Sequence, residues 1–277
     1  YELMRTSTPK DRWDLSICKH DWVLEIGSGH NPLYRSNVIV DKYIDNNAHR
    51  CGDIKIFPHQ HFVHADGEHL PFKDKEFDYV ICNQVLEHVD NPQLFIQEIC
   101  RVGKRGYIET PSLIGEFLFP KESHQWVILD INDKLVLYKK ELMPGNYINN
   151  YGELFLNYLP YQSLPYKILK LTEGDLMINR YEWQEEINII VNPQDDYYLP
   201  FFTQKWNRNM VEKLFPPRSV YHELKATCDA ISHIIKIKLL ESLHKNRKLQ
   251  TLEEHLQSNN TLPQRNSRST HENNKMQ

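Results

Sequence analysis

Between residues 22 and 112 short apolar runs, each closed by a polar or turn residue, alternate with stretches of helical character. That alternation limits the fold more than any other feature of the chain. Trp22–Ile26, Asn37–Asp41, Phe62–Ala65, Phe77–Cys82 and Tyr107–Glu109 read as strands. Before the last of them lies a helix, with Asn91 suited to cap it and Pro92 suited to its first position. Its residues Leu94, Phe95, Ile99 and Val102 share one face. Strands that alternate with helices predict an α/β fold, a mostly parallel sheet with helices on both faces. Ligands of such sheets bind at the carboxyl ends of the strands.

The first strand runs straight into "IGSGHNP" (residues 26–32). Gly27 and Gly29 let the backbone approach a ligand with no Cβ in the way. A dinucleotide fingerprint would place a third glycine at 32, where this chain has Pro32, which counts against NAD and FAD. The Gly-Lys-Ser/Thr ending of a Walker loop is absent. Polar residues close the next three strands. Asp41 can accept hydrogen bonds from both hydroxyls of a ribose, Asp66 can accept from an adenine amino group, and Asn83 sits at the end of the fourth strand. One such acid is usually a turn or a cap; three polar strand ends and a glycine turn in this order converge on one rim.

These residues resemble the class I S-adenosylmethionine-dependent methyltransferases of the small-molecule, quinone-biosynthesis-like kind, methyltransferase type 11. The resemblance rests on Glu25-Ile-Gly27-Ser-Gly29, on Asp66-Gly67-Glu68-His-Leu70-Pro71-Phe72, on Phe77-Asp78-Tyr-Val80 and on Leu86-Glu87-His88. It continues through Glu98, Arg101-Val102 and Gly103-Lys-Arg-Gly106, and covers about a third of the chain. It implies a Rossmann-like fold and S-adenosylmethionine as cofactor. By the same resemblance Glu25, Gly27 and Gly29 line the methionine end, and Ser28 of the same turn counts among the cofactor-binding residues. Asp41 holds the ribose, Asp66 and the backbone of Gly67 read the adenine, and Asn83 lies beside the sulfonium with its backbone. Two departures stand out. Asn31 occupies a position where the family often has a third glycine, and the stretch from Gly29 to Asp41 has room for only a turn or two of helix.

Methyl transfer from a sulfonium chiefly needs alignment, and a base helps when the acceptor is a hydroxyl. His124, beyond the fifth strand, and His88, after the fourth, are the candidate bases; Glu109 is a weaker candidate for orienting neighbours. His59, His61 and His64 invite a metal reading, but no cysteine or carboxylate set completes it, and no metal is expected.

After Pro111 the texture changes. Residues 125–140 read as a β-hairpin around Asn132–Asp133, 154–169 as a helix broken by Pro160 and Pro165, 182–193 as another strand and 218–245 as a helix packed on the domain. The expected organisation is an arm at 1–20, a cofactor-binding core at 21–125, an elaborated α+β acceptor or cap region at 126–245, and a disordered tail at 246–277 rich in amides and charge. The net charge of −4 gives no reason to expect a nucleic-acid partner, and Asn83-Gln-Val-Leu86 replaces the Asn/Asp-Pro-Pro-aromatic run of amino-group methyltransferases on nucleic acids. No apolar run reaches transmembrane length, although Lys236, Lys238 and Lys245 leave room for a peripheral membrane contact. Five scattered cysteines, with no CxxC pair, fit a reducing, cytoplasmic setting. The sequence opens on Tyr1 rather than Met, which leaves an upstream segment open; no signal peptide appears in it.

The expected function is methyl transfer from S-adenosylmethionine to a small-molecule or glycan-precursor acceptor, at oxygen first. The alternative is a non-catalytic cofactor-binding or scaffold module with the same fold.

Overall fold

The computed structural model describes residues 9–47, 52–143, 150–244 and 247–258. Residues 1–8 of the expected arm, Cys51, Lys245 and residues 259–277 of the expected tail lie outside them. The strands are β1 (Val23–Ile26), β2 (Val38–Asp41), β3 (Lys55–Ile56), β4 (His61–His64), β5 (Tyr79–Asn83), β6 (Arg105–Pro111), β7 (Trp126–Asp130), β8 (Leu135–Lys139), β9 (Ile178–Gln184), β10 (Ile189–Val191) and β11 (Gln250–Thr251). The helices are α1 (Pro92–Val102), α2 (Leu113–Leu118), α3 (Leu159–Gln162), α4 (Leu164–Thr172), α5 (Leu199–Thr203), α6 (Arg208–Leu214), α7 (Val220–His244) and α8 (Leu252–Ser258).

Six strands form the main sheet in the order β4-β2-β1-β5-β6-β9. All neighbours are parallel except β9, which runs antiparallel to β6. This is the α/β sheet the alternation predicts. β1 is wholly buried and uses its two faces differently. Leu24 and Ile26 join the large core with Phe95, Ile99 and Val102 of α1, while Val23 packs with Leu33, Tyr79, Ile81 and Tyr107 on the other side. Period-two alternation puts Glu25 on this second face. α1 begins as expected, with the Asn91 side chain accepting from the Leu94 amide and Pro92 in the first turn.

The hairpin β7–β8 extends through β10 into a second sheet of three strands. Both of its faces are buried. Trp126, Ile128, Leu135 and Leu137 enter the large core, and Val127, Leu129, Val136 and Tyr138 pack with Tyr198, Phe201 and Phe202. A continuous apolar run in each strand is the sequence counterpart of that arrangement.

Two regions differ from expectation. Residues 247–258 are structured where a tail without structure is expected: β11 pairs antiparallel with β3, and α8 follows with His255 buried. The stretch is polar, but a two-residue ladder and one buried ring suffice to seat it. α7 forms over the expected span, yet Val220, Leu224, Ile231, Ile235 and Leu239 are exposed. It is fixed instead through Ala230 and through His233, whose Nε2 lies 2.9 Å from Asp11.

Candidate functional site

The glycine turn closes β1 as its sequence requires. Gly27 and Gly29 have φ of 67° and 54°, the left-handed region that costs glycine little and other residues more. Asn31 is not at positive φ; its amide bonds back to Ser28 O at 3.1 Å. The turn therefore makes no demand for a third glycine. Between the turn and β2 there is no helix at all. The Gln60 side chain holds this short connection by donating to Leu33 O and Ser36 O.

A cleft opens over the carboxyl ends of β1, β2, β4 and β5. Its walls include Gly27, Gly29, Asp41, Asp66, Gly67 and His88. Counting its open mouth it holds about 670 Å³, within the range of small-molecule sites. Asp41 accepts from the Tyr43 amide at 2.9 Å. Asp66 faces Lys42 Nζ at 2.8 Å and accepts from the Glu68 amide. Burial opposes the charge on Asp66, but Lys42 and that amide together hold its carboxyl below the ordinary value.

Three residues expected at the cofactor do not line this cleft: Glu25, Ser28 and Asn83. Glu25 points away from it. Its carboxylate accepts from the Leu33 amide and the Ser36 hydroxyl and pairs with Arg12 at 3.1 Å, so it braces the turn from behind. Ser28 Oγ and Asn83 Oδ1 are buried with no hydrogen-bond partner. Buried polar atoms are rarely left so.

A second group lies behind His88. His124 is buried, at 4% exposure. Gln125 donates its amide to Glu87 O and its side chain to His88 O, and Trp126 Nε1 donates to Val89 O. These bonds lock the start of β7 against the turn Leu86–His88 and bring His124 beside it. The two imidazoles meet edge to face with centroids 4.7 Å apart. His124 Nδ1 lies 2.5 Å from Glu116 Oε2 on α2, and the other oxygen of Glu116 binds Lys140 Nζ at 2.5 Å. His88 Nδ1 donates to Ser123 O at 3.0 Å. Glu87 is 1% exposed, and neither of its oxygens has a hydrogen-bond partner. Burial pushes its carboxyl up to about 8.

Glu109 is apart from this group, accepting from Tyr107 Oη and Gln84 Nε2. The histidines of the β4 region do not gather: His59 bonds Tyr34 O and His64 bonds Lys42 O. Glu87 and Glu116 escape sequence reasoning. The only trace of either is that Glu87 adjoins His88 and that Glu116 precedes His124 by two helical turns of sequence.

With this geometry in view, the relatives are informative. Residues 38–108 match the family described as a methyltransferase domain. A demethylmenaquinone methyltransferase of Anoxybacillus flavithermus is 29% identical over 125 residues, 41% of this chain and 52% of that protein. An uncharacterized protein of Methanocaldococcus jannaschii is 40% identical over 74 residues, 24% of this chain and 36% of the relative. The chain thus spans about a third to a half of the length of these curated relatives. Among solved structures, a protein of Pyrococcus horikoshii matches 40% of this chain and 62% of its own at 21% identity and a TM-score of 0.30. A putative methyltransferase of Bacillus halodurans matches 35% and 47% at 22% identity and a TM-score of 0.26. The α/β core of this chain is thus similar to class I methyltransferase domains over residues 38–108, and S-adenosylmethionine is the cofactor of that class.

Among the described residues, no helix is long and apolar enough to cross a membrane. Cys18, Cys82, Cys100 and Cys228 are free thiols.

Proposed function

We propose that this protein transfers a methyl group from S-adenosylmethionine to an oxygen of a small-molecule or glycan-precursor acceptor. The observation that carries the reading is the cleft itself: a left-handed glycine turn and two acids, Asp41 and Asp66, around one rim. Gly27 and Gly29 give the cofactor's methionine end access to the backbone. Asp41 accepts from the ribose, Asp66 and the backbone of Gly67 read the adenine, the backbone of Asn83 lies beside the sulfonium, and Ser28 belongs to the same turn. Glu25 supports the turn rather than the ligand. The bound cofactor supplies a methyl group already activated on sulfur, so the chain's task is alignment and activation of the acceptor oxygen. His124 and His88 are assigned to that activation: both imidazoles are held through Nδ1, and His124 Nε2 is buried without a hydrogen-bond partner. Residues 126–245 form the acceptor side.

Calorimetry with S-adenosylmethionine, its demethylated product and NAD tests the cofactor assignment. The expected result is heat from the first two and none from NAD. Heat from NAD alone would overturn it.

A further inference from the structure

Glu87, His88 and His124 each offer one ligand atom, and these atoms lie within 4.8 Å of one another. The three come from the turn after β5 and from the approach to β7, and the hydrogen bonds of Gln125 and Trp126 hold the two segments together. Three features of the group go beyond chance proximity. Both imidazoles donate from Nδ1, His124 to the Glu116 carboxylate and His88 to the Ser123 carbonyl, which fixes the tautomer with the lone pair on Nε2. Metal-binding histidines are held in this manner, by a carboxylate or carbonyl behind the ring. His124 Nε2 and both oxygens of Glu87 are buried without hydrogen-bond partners. Finally, Glu116 is itself anchored by Lys140, so the support extends a further layer out.

We infer that Glu87, His88 and His124 form a binding site for a divalent transition metal, with zinc as the best match. Two imidazole nitrogens and one carboxylate oxygen suit zinc and its neighbours, whereas magnesium and calcium take sets of oxygens. Bond lengths of about 2.0–2.2 Å place tetrahedral ligand atoms about 3.3–3.6 Å apart. The trio therefore closes by about 1 Å to grip the ion, within the reach of side-chain rotation. Three protein ligands leave a fourth position open. His88 also lines the cofactor cleft, so that position is within reach of what the cleft holds. There the metal would polarise an oxygen of the methyl acceptor. That last role rests on the proposed methyl transfer; the metal site does not.

The test uses untagged full-length protein, stripped with chelator, desalted and titrated with Co²⁺ and then Zn²⁺ in the absence of S-adenosylmethionine. Visible absorption reports Co²⁺ coordination, and elemental analysis after gel filtration gives the stoichiometry. The expected result is one retained equivalent, with the Co²⁺ bands lost on adding Zn²⁺. Glu87→Gln and His88→Asn should each weaken retention at least tenfold, and Glu116→Gln, behind the site, by about 10–100-fold. His59→Asn, outside the trio, should change nothing. Circular dichroism identifies any variant that fails to fold, and the remaining ones then decide. No retained equivalent in the folded wild-type protein, or retention unchanged in the folded ligand variants, would overturn the site. Because cofactor heat is measured separately, loss of the metal site leaves the methyltransferase reading standing.

Discussion

The cleft over the strand ends and the buried group around His124 share one wall, His88, and are built in opposite ways. The cleft is made of strand ends that follow one another along the chain, each carrying its functional residue at the point where the strand stops. It is open, and its Asp66 meets Lys42. The His124 group is closed, and it unites a turn at 86–88, a short helix at 113–118 and the first residues of a hairpin. A sheet fixes the first kind of site as soon as its strands pair. The second exists only when the hairpin has docked. Cofactor binding and acceptor activation should therefore come apart under mutation.

The sharpest way to break the comparison is His124→Asn. If His124 activates the acceptor, turnover should fall by about 10²-fold or more while the dissociation constant for S-adenosylmethionine is unchanged. Single-turnover rates beside calorimetry read both, once an acceptor is found. Equal rates in the two proteins would remove His124 from the chemistry. The converse test is Asp41→Ala. A charged acceptor is worth about 1.5–3 kcal/mol per hydrogen bond, so cofactor affinity should drop about tenfold to a hundredfold with the circular dichroism spectrum intact. Unaltered affinity would mean that the ribose is held elsewhere.

Truncation after residue 246 should be felt by neither site, yet it should lower the melting temperature. It deletes the β11–β3 ladder and the buried His255 ring. A loss of about 1 kcal/mol corresponds to about 2–4 °C in a domain of this size. An unshifted melting curve would show that β11 and α8 add nothing to stability. The smallest effect concerns Asp66. Its carboxyl lies below the ordinary value of 3.8, so its contribution to stability is present above that pH and fades as pH falls through the lowered value. Lys42→Met should move the midpoint of Asp66, followed by carbon-13 NMR, upward, with less than about 1 kcal/mol change in stability at neutral pH because the pair is half exposed. An unmoved midpoint would assign the shift to the Glu68 amide alone.

The cleft was legible in the sequence because local signals reinforce one another there. A run such as Val38–Asp41 announces a strand, its end and its acid in four letters. Glu25 was harder to place. Its neighbours Leu24 and Ile26 enter the large core, so strand alternation turns Glu25 to the far face, where Arg12 waits. The pattern held that orientation. The His124 group was only half legible. His124 and His88 stood out as histidines near strand ends, but their union with Glu87 and Glu116 depends on Gln125 and Trp126 bonding across the turn, a contact between segments far apart in the chain. The pairing of Gln250 with Ile56 is more remote still, and a polar stretch of composition like 246–258 carries no local trace of it.

One consequence of the sheet's antiparallel edge concerns how such proteins diverge. β6 and β9 are hydrogen-bonded neighbours from Arg105↔Gln184 to Pro111↔Ile178. In topological terms everything between Pro111 and Ile178, including the hairpin, α2, α3 and α4, is therefore one hugely enlarged hairpin loop rooted on a fixed base. Lengthening such a loop costs little closure entropy, roughly 0.6 kcal/mol per doubling. Lineages descended from a common ancestor can lengthen, shorten or replace this excursion while the register of the central strands, and the rim they present, stays inherited. Diversity among such descendants is then expected to accumulate on one side of the molecule, as grafts on a conserved rootstock.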